Sequence, residues 1–445
     1  MSPSLFKDFV KYVSQNILGM IGLSFYILVD TFFIANGIGP DGLAALNLAI
    51  PIFSFITGSG LMLGIGGAIY YSIHKSKGPE IGDQAFTNAV QFGAVLGILF
   101  FIIGVFFAEN LSLLLGADSF TFAMTITYLR TILCFAPLFI FNNILIAFVR
   151  NDKNPRLAMV GMLAGSIFNI IFDYIFIFIF DLGMFGAAFA TGLAPLISML
   201  VLSPFFLKKQ NQFHLVKTKS DFTLWYKIGT LGFPSLITEL ASGVVLIIFN
   251  LILLNLGGNI AVAAYGVIAN LSLVVVAFFT GVGQGIQPLI SYHFGRGKTE
   301  AIKQILRYGI ILTVVLAIGQ YLVMAIFSTE IASLFNKHND DILNAVATRG
   351  MKIYFVGFFF AGLNVLLSAY YSAKGQARTA FLISILRGFI LVIPLAFLLS
   401  SLIGVDGVWL TFPLTEAVVL GYCLFQRGMS RGRQNLTHYI KFQED

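Results

Sequence analysis

Two aspartates stand inside long apolar stretches of the first half of the chain. Asp30 lies within residues 26–31, and Asp173 follows Asn169 by four residues. Residues four apart share one face of a helix, so Asn169 and Asp173 can present oxygens to the same point. A charged side chain deep in a membrane costs roughly 2.5–3.5 kcal/mol on insertion scales, which makes each aspartate a functional candidate.

Thr191, in the next apolar stretch, adds a hydroxyl to this set. Two carboxylates, an amide and a hydroxyl form an oxygen-rich pocket that can hold a small hard cation or share a proton. The residue types leave Na⁺ and H⁺ equally open. The alternative is that Asp30 and Asp173 only accept hydrogen bonds between helices.

The second half carries a different set of charges in its apolar stretches, namely Glu239, Arg387 and Glu416. Arg387 paired with Glu416 or Glu239 would reduce the desolvation cost of both charges. Both a structural ion pair and a role in substrate binding or coupling are open for these three residues. Arg130 and Lys352 stand in the outer half of their stretches, where we expect long side chains to reach the interface.

Several classes of function are excluded or disfavoured. We find no nucleotide-binding motif and no Ser/His or paired metal-ligand constellation, so we expect no catalytic site, no metal site and no cofactor other than a coupling ion. The two cysteines, Cys134 and Cys423, lie in apolar stretches and do not indicate a disulfide. The net charge of +7 comes mostly from short loops, which indicates membrane topology instead of nucleic-acid binding.

The composition indicates a membrane protein. The chain is 58% hydrophobic and 11% charged, with a mean hydropathy of +0.90, whereas a soluble domain is about half apolar and a quarter charged. With roughly 20 apolar residues per span, and with the helix ends and loops between spans, 445 residues accommodate about twelve transmembrane helices. We therefore predict an all-α integral membrane protein, in which the first span is retained and is not a cleaved signal peptide.

The apolar runs predict six spans in each half. They lie at 10–36, 43–73, 88–108, 120–149, 157–180 and 183–206, and then at 225–255, 260–292, 305–327, 341–372, 377–402 and 405–427. These spans divide the chain into an N-lobe at 1–207, a linker at 208–224, a C-lobe at 225–427 and a tail at 428–445. Lys and Arg concentrate in alternate loops, which predicts that the linker and both termini are cytoplasmic and that the protein lies in the cell (inner, cytoplasmic) membrane.

The two halves also repeat in sequence. Residues 72–78 and 291–297 end corresponding spans at an offset of 219, and Asn142 corresponds to Asn364 at an offset of 222. Six spans per copy give both copies the same orientation, so we expect two pseudo-symmetric six-helix lobes around a central cavity. Phe249 is the repeat equivalent of Asp30, which places the expected ion site in the first lobe.

Taken together, these motifs resemble the multidrug and toxic compound extrusion (MATE) family. The resemblance covers nearly the whole chain. It rests on the segments at residues 29–31, 37–39 and 186–191, on the pair Asn169 and Asp173, and on Pro234. It implies antiport, in which Na⁺ or H⁺ moves in while an amphipathic, often cationic, small molecule leaves. In members with an N-lobe cation site, the matching positions here are Asp30, Asn169, Asp173 and Thr191.

The resemblance has departures, and other functions remain as alternatives. Where many relatives have a proline fifteen residues before the first-helix aspartate, this chain has Gln15, so a mechanism that bends the first helix there is not expected. A lipid-linked precursor flippase of the wider superfamily would have a more cationic cavity, to which Arg387 would contribute. A non-transporting membrane scaffold and an intramembrane enzyme are the rivals from other classes. The expected partners are small-molecule substrates and the lipid bilayer, and the oligomeric state is not predicted.

Overall fold

The computed structural model describes residues 3–335 and 340–441, with side chains in the last helix as far as Gln426. Within these residues the chain is helical, with short loops and no strand. Of the tail predicted at 428–445, residues 442–445 lie outside the described part of the chain. Among the described residues the cysteines are free.

The first half forms six helices. Four of them begin at a proline, which fits the first helical turn because that position needs no backbone N–H. The helices are α1 (Pro3–Gly37), α2 (Pro40–His74), α3 (Pro79–Leu114), α4 (Phe122–Asn151), α5 (Pro155–Tyr174, continued by a π-helical turn at Ile175–Ile179) and α6 (Gly183–Leu207).

The second half opens with one helical stretch, Phe222–Phe294. At 1.5 Å per residue its 73 residues would extend about 110 Å, more than three times the hydrocarbon thickness of a bilayer. Gly258 breaks the stretch with φ 61° and ψ −154°, a conformation that favours glycine. The stretch is therefore two spans, α7 (222–257) and α8 (259–294).

Four further helices complete the second half, so the described residues contain twelve spans, as predicted. They are α9 (Thr299–Phe335), α10 (Asp341–Ala373), α11 (Ala377–Ile403) and α12 (Val405–Lys441). The predicted spans fall inside these helices or within two residues of their ends. α1, α3, α9 and α12 are longer than predicted, because a helix can continue past the apolar core where hydropathy no longer marks it.

Each half has its own hydrophobic core, which gives the two lobes of the fold: the N-lobe (α1–α6) and the C-lobe (α7–α12). A third cluster joins the start of α1, including Val13, to α8 and α9. Because six spans separate the start of α1 from the linker, both lie on one side of the bilayer, which we call the linker side.

The lobes meet closely in the linker-side half of their helices. Gly66 of α2 packs against the backbone of Ile228 on α7, and Gly281 of α8 packs against Ile17 on α1. A Cβ atom at either glycine would collide with that backbone. The lobes are thus held together on the linker side.

The linker packs on the N-lobe. Phe213 is fully buried in an aromatic cluster around Phe148. Backbone N–H groups of the linker donate to Asp152 Oδ2 at 2.7 Å and to Asn88 Oδ1 at 2.9 Å. The segment that the sequence predicts as a connection therefore lies fixed against the first lobe.

Candidate cation site

Asp30 and Asp173 lie together inside the N-lobe. α1 packs against α5, and this packing brings the two carboxyl groups within hydrogen-bonding reach of each other. Both side chains are buried, and the Oδ1 atom of each has no hydrogen-bond partner among the described protein groups. The structure thus joins the two aspartates that the sequence singles out.

Asn169 and Thr191 complete the group from α5 and α6. The amide of Asn169 fits best with its nitrogen donating to Asp173 Oδ2 at 3.1 Å and its oxygen accepting from the Thr191 backbone N–H at 3.3 Å. In the opposite orientation Nδ2 lies 3.4 Å from Thr191 Oγ1. In both orientations Asn169 bonds to Thr191 of α6, and in the favoured orientation it also bonds to Asp173, as the four-residue spacing suggests.

Two tyrosines that the sequence did not single out belong to the same cluster. Tyr26 lies one helical turn before Asp30 on α1, close to both aspartates. Tyr128 of α4 is buried beside Thr191 and the aspartates. Their hydroxyl groups could donate to a carboxylate or accept from a protonated carboxyl. The one available signal was the position of Tyr26 one turn before Asp30; nothing in the sequence connects Tyr128 to this site.

This arrangement can bind one small cation or one proton. Two carboxylates at hydrogen-bonding distance repel each other strongly in a buried site unless a proton or a cation lies between them. Among the described residues no third acidic, histidine or cysteine side chain joins the pair to form a metal cluster. A coupling ion here would be held by two carboxyl groups and by neutral oxygens.

Arg387 pairs with Glu416 in the C-lobe, one of the two pairings that the sequence leaves open. Its Nε and Nη2 atoms donate to Glu416 Oε1 at 3.0 and 2.7 Å. Glu416 Oε2 accepts from Asn364 Nδ2 at 2.7 Å. The two charged side chains are 14% and 3% exposed, so this is a buried ion pair in which both carboxylate oxygens accept hydrogen bonds.

Each of these charged sites adjoins a π-helical turn. The turn Ile175–Ile179 follows Asp173 directly, and the turn Leu386–Ile390 contains Arg387. Single π-helical turns inside α-helices are frequent at functional sites. The two turns lie at different depths in their helices, so they are not repeat equivalents.

Glu239 lies apart from the Arg387 pair, at the boundary between the lobes. Its side chain is partly exposed and packs against Gly58 of α2. Its position therefore suits contact with whatever occupies the space between the lobes.

Arg130 and Lys352 are both exposed. Arg130 Nη2 lies 3.3 Å from Glu109 Oε1 on α3, so its charge is directed to the outer end of a neighbouring helix. Gln15 lies within the unbroken helix α1, and its Oε1 atom is buried without a partner among the described groups.

Comparison with known proteins agrees with this architecture. The chain is 29% identical over 420 residues to the multidrug export protein MepA of Staphylococcus saprophyticus, covering 93% of this chain and 92% of that protein. It is 27% identical over 425 residues to MepA of Staphylococcus aureus, covering 93% and 91%.

Two solved structures share the fold. One is described as the outward-facing conformation of a multidrug resistance MATE family transporter of the MOP superfamily, with a TM-score of 0.89, 21% identity and 96% coverage of both chains. The other is a MOP superfamily transporter from Pyrococcus furiosus, described as having a binding pocket of reverse polarity that suggests a different function, with a TM-score of 0.87, 20% identity and 95% coverage of both chains.

The family model for MatE matches this chain at residues 16–175 and again at 234–398. One match falls in each half, as the internal repeat predicts, and together the two matches cover most of the chain. The twelve spans in two lobes fit the same assignment. The chain therefore belongs to the MatE family of multi-pass membrane transporters.

Proposed function

We propose that this protein exports small amphipathic compounds, preferentially cations, in exchange for Na⁺ or H⁺ that binds at Asp30 and Asp173. The observation that carries the proposal is the buried contact between these two carboxyl groups, each with an unpartnered oxygen. The relatives named as multidrug export proteins support the direction and the breadth of transport.

The mechanism is alternating access between the N-lobe and the C-lobe. An ion can shift the balance between two conformations only through its different affinity for each. Because α1 contributes Asp30 and also packs against α8 of the other lobe, a change in charge at the aspartates can alter how α1 meets the C-lobe. Asn169 and Thr191 orient the ligands, and Asp173 with Asp30 binds the ion.

The substrate is recognised in the space between the lobes. Glu239 is partly exposed there and would attract a cation, while apolar and aromatic side chains give contacts of low selectivity. The linker side corresponds to the cytoplasm in this proposal, because Lys and Arg concentrate in its loops.

A flippase for lipid-linked precursors is the second candidate. Arg387 is the observation in its favour, since an anionic head group needs a cationic site. However, Glu416 neutralises Arg387 in the structure, and Arg130 pairs with Glu109. Export of cations therefore accounts for the described charges better.

The experiment compares cells that lack their own exporters and express the wild-type protein, Asp30→Asn or Asp41→Asn. Asp41 is an exposed aspartate at the start of α2, so it controls for loss of a charge alone. We expect wild type and Asp41→Asn to lower the accumulation of a fluorescent lipophilic cation, and Asp30→Asn to leave it high at equal expression. Full export by Asp30→Asn would overturn the assignment of the site. No export by any variant would favour a flippase or a non-transporting scaffold.

A further inference from the structure

The end of α4 and the next residue, Asp152, make hydrogen bonds both within the N-lobe and to the C-lobe. Asp152 bonds within the N-lobe and its linker, accepting from Tyr71, Lys75 and the Gln212 backbone. Arg150 and Asn151, directly before it, bond to α8 of the other lobe. The predicted span ends at residue 149, but the helix continues to Asn151 and Arg150 is buried.

Arg150 is only 2% exposed, and its recorded partners are neutral. Its Nη1 atom donates to Asn16 Oδ1 on α1 at 2.9 Å and to Gln284 Oε1 on α8 at 2.6 Å. Its Nε atom is buried without a partner among the described groups. A buried charge held by neutral amides is compensated only in part, so separation of the lobes would return it to water at little cost.

Asn151 and Gln287 exchange hydrogen bonds across the lobes. Asn151 Nδ2 donates to Gln287 Oε1 at 3.4 Å, and Gln287 Nε2 donates to Asn151 Oδ1 at 3.2 Å. Ser72 also donates to Asn151 Oδ1, at 2.8 Å. Each of these bonds is weak enough to be made and broken repeatedly, unlike a buried ion pair.

A further bond joins the lobes at the same end. Ser76 Oγ donates to the Gly295 carbonyl oxygen at 3.2 Å. Close helix packing at Gly281 and Gly285 brings α8 against α1 at the level of Ile17 and Val13. Polar and packing contacts therefore close the lobes together on the linker side.

We propose that Arg150 and Asn151 of the N-lobe, with Gln284 and Gln287 of the C-lobe, form a reversible gate on the linker side. We call these four residues the linker-side latch. The latch closes the path from this side of the membrane, and its bonds break each time the lobes open toward it. This inference rests on the proposed alternating access, because a static interface would need no such gate.

The test measures the distance between the lobes directly. Spin labels are placed at Lys77→Cys and Lys298→Cys, exposed positions on opposite lobes near the latch, after Cys134→Ala and Cys423→Ala remove the native thiols. Distances are recorded by pulsed electron paramagnetic resonance in lipid nanodiscs. Gln284→Ala and Gln287→Ala should each raise the ratio of long to short distances, and the double variant should raise it roughly five- to 150-fold.

Asp152→Asn is the matched control. It changes a buried residue beside the latch, but the recorded partners of Asp152 lie in the N-lobe and linker, so the distance distribution should not change. Arg150→Gln is a further latch variant, informative if it elutes as a folded monodisperse protein. Unchanged distances in the folded double variant, or an equal increase in Asp152→Asn, would overturn the latch.

The distance measurement needs no substrate and no ion gradient. If the Gln284 and Gln287 variants lengthen the distances while Asp30→Asn exports normally, the proposed ion site is refuted and the latch is supported. If Asp30→Asn loses export while the distances in the latch variants do not change, the latch is refuted and the ion site is supported.

Discussion

Arg387 and Glu416 form a buried, two-pronged ion pair, in which Nε and Nη2 of the arginine donate to the same carboxylate oxygen at 3.0 and 2.7 Å. Asn364 donates to the other carboxylate oxygen. Both carboxylate oxygens thus already accept hydrogen bonds from protein donors, and the side chains are only 14% and 3% exposed. We therefore expect it to stabilise the C-lobe instead of binding the transported compound.

Glu416→Gln should reduce the free energy of unfolding by about 3–5 kcal/mol, because it leaves the Arg387 charge buried without a counter-ion. Replacing both residues, as Arg387→Met with Glu416→Leu, should recover much of this loss and retain transport. Thermal unfolding in detergent and efflux assays measure the two effects. A stable double variant that no longer transports would show that the pair acts in coupling or in substrate binding.

Glu239 should determine the preference for cations, since it is a partly exposed carboxylate at the boundary between the lobes. Glu239→Gln should lower transport of lipophilic cations by about tenfold or more, because an attraction in a site of low dielectric is lost. Transport of neutral amphipathic compounds should change little. Glu300→Gln, an exposed glutamate that pairs with Lys303, is the control, and equal losses for charged and neutral compounds would contradict the assignment.

Tyr128 should contribute to ion binding through its hydroxyl group alone. Tyr128→Phe keeps the buried ring and should weaken the apparent affinity for the coupling ion by roughly two- to tenfold, the range expected for one hydrogen bond. The dependence of efflux on ion concentration measures it. Tyr174→Phe provides the control, because Tyr174 follows Asp173 in sequence but is 52% exposed. An unchanged ion dependence in Tyr128→Phe would remove Tyr128 from the site.

Phe213 should fix the linker to the N-lobe. Phe213→Ala empties a buried aromatic position and should destabilise the protein by about 3–5 kcal/mol. It should also release the linker, so that trypsin cleaves faster at the exposed residues Lys217 and Lys219. Leu215→Ala changes a linker residue that is 65% exposed and should alter neither property. Equal cleavage of both variants would contradict a packed linker.

The sequence predicts the spans well because a bilayer requires about 20 consecutive apolar residues, a signal that is local in the chain. It also places Asn169 and Asp173 on one face of a helix, because residues four apart are neighbours on the helix surface. The grouping of these residues with Asp30 and Thr191 is proposed from the residue types and from the family resemblance, and the structure brings the four together. Their role in binding an ion stays a prediction.

Contacts between distant helices could not be predicted in the same way. Tyr128 reaches the cation site because α4 packs near α5 and α6, and a lone tyrosine in an apolar stretch carries no signal of that packing. Arg150 follows an apolar run and so resembles a loop residue, but its burial depends on how two lobes meet. The pairing of Arg387 with Glu416 instead of Glu239 likewise depends on the arrangement of α7, α11 and α12.

The most direct test of the central claim is efflux of a fluorescent organic cation from proteoliposomes under an imposed Na⁺ or H⁺ gradient, with Asp30→Asn and Asp41→Asn measured in parallel. The account predicts efflux driven by one of the two gradients, retained in Asp41→Asn and lost in Asp30→Asn. Efflux that needs neither gradient, or that persists in Asp30→Asn, would contradict ion-coupled export through the Asp30 and Asp173 site.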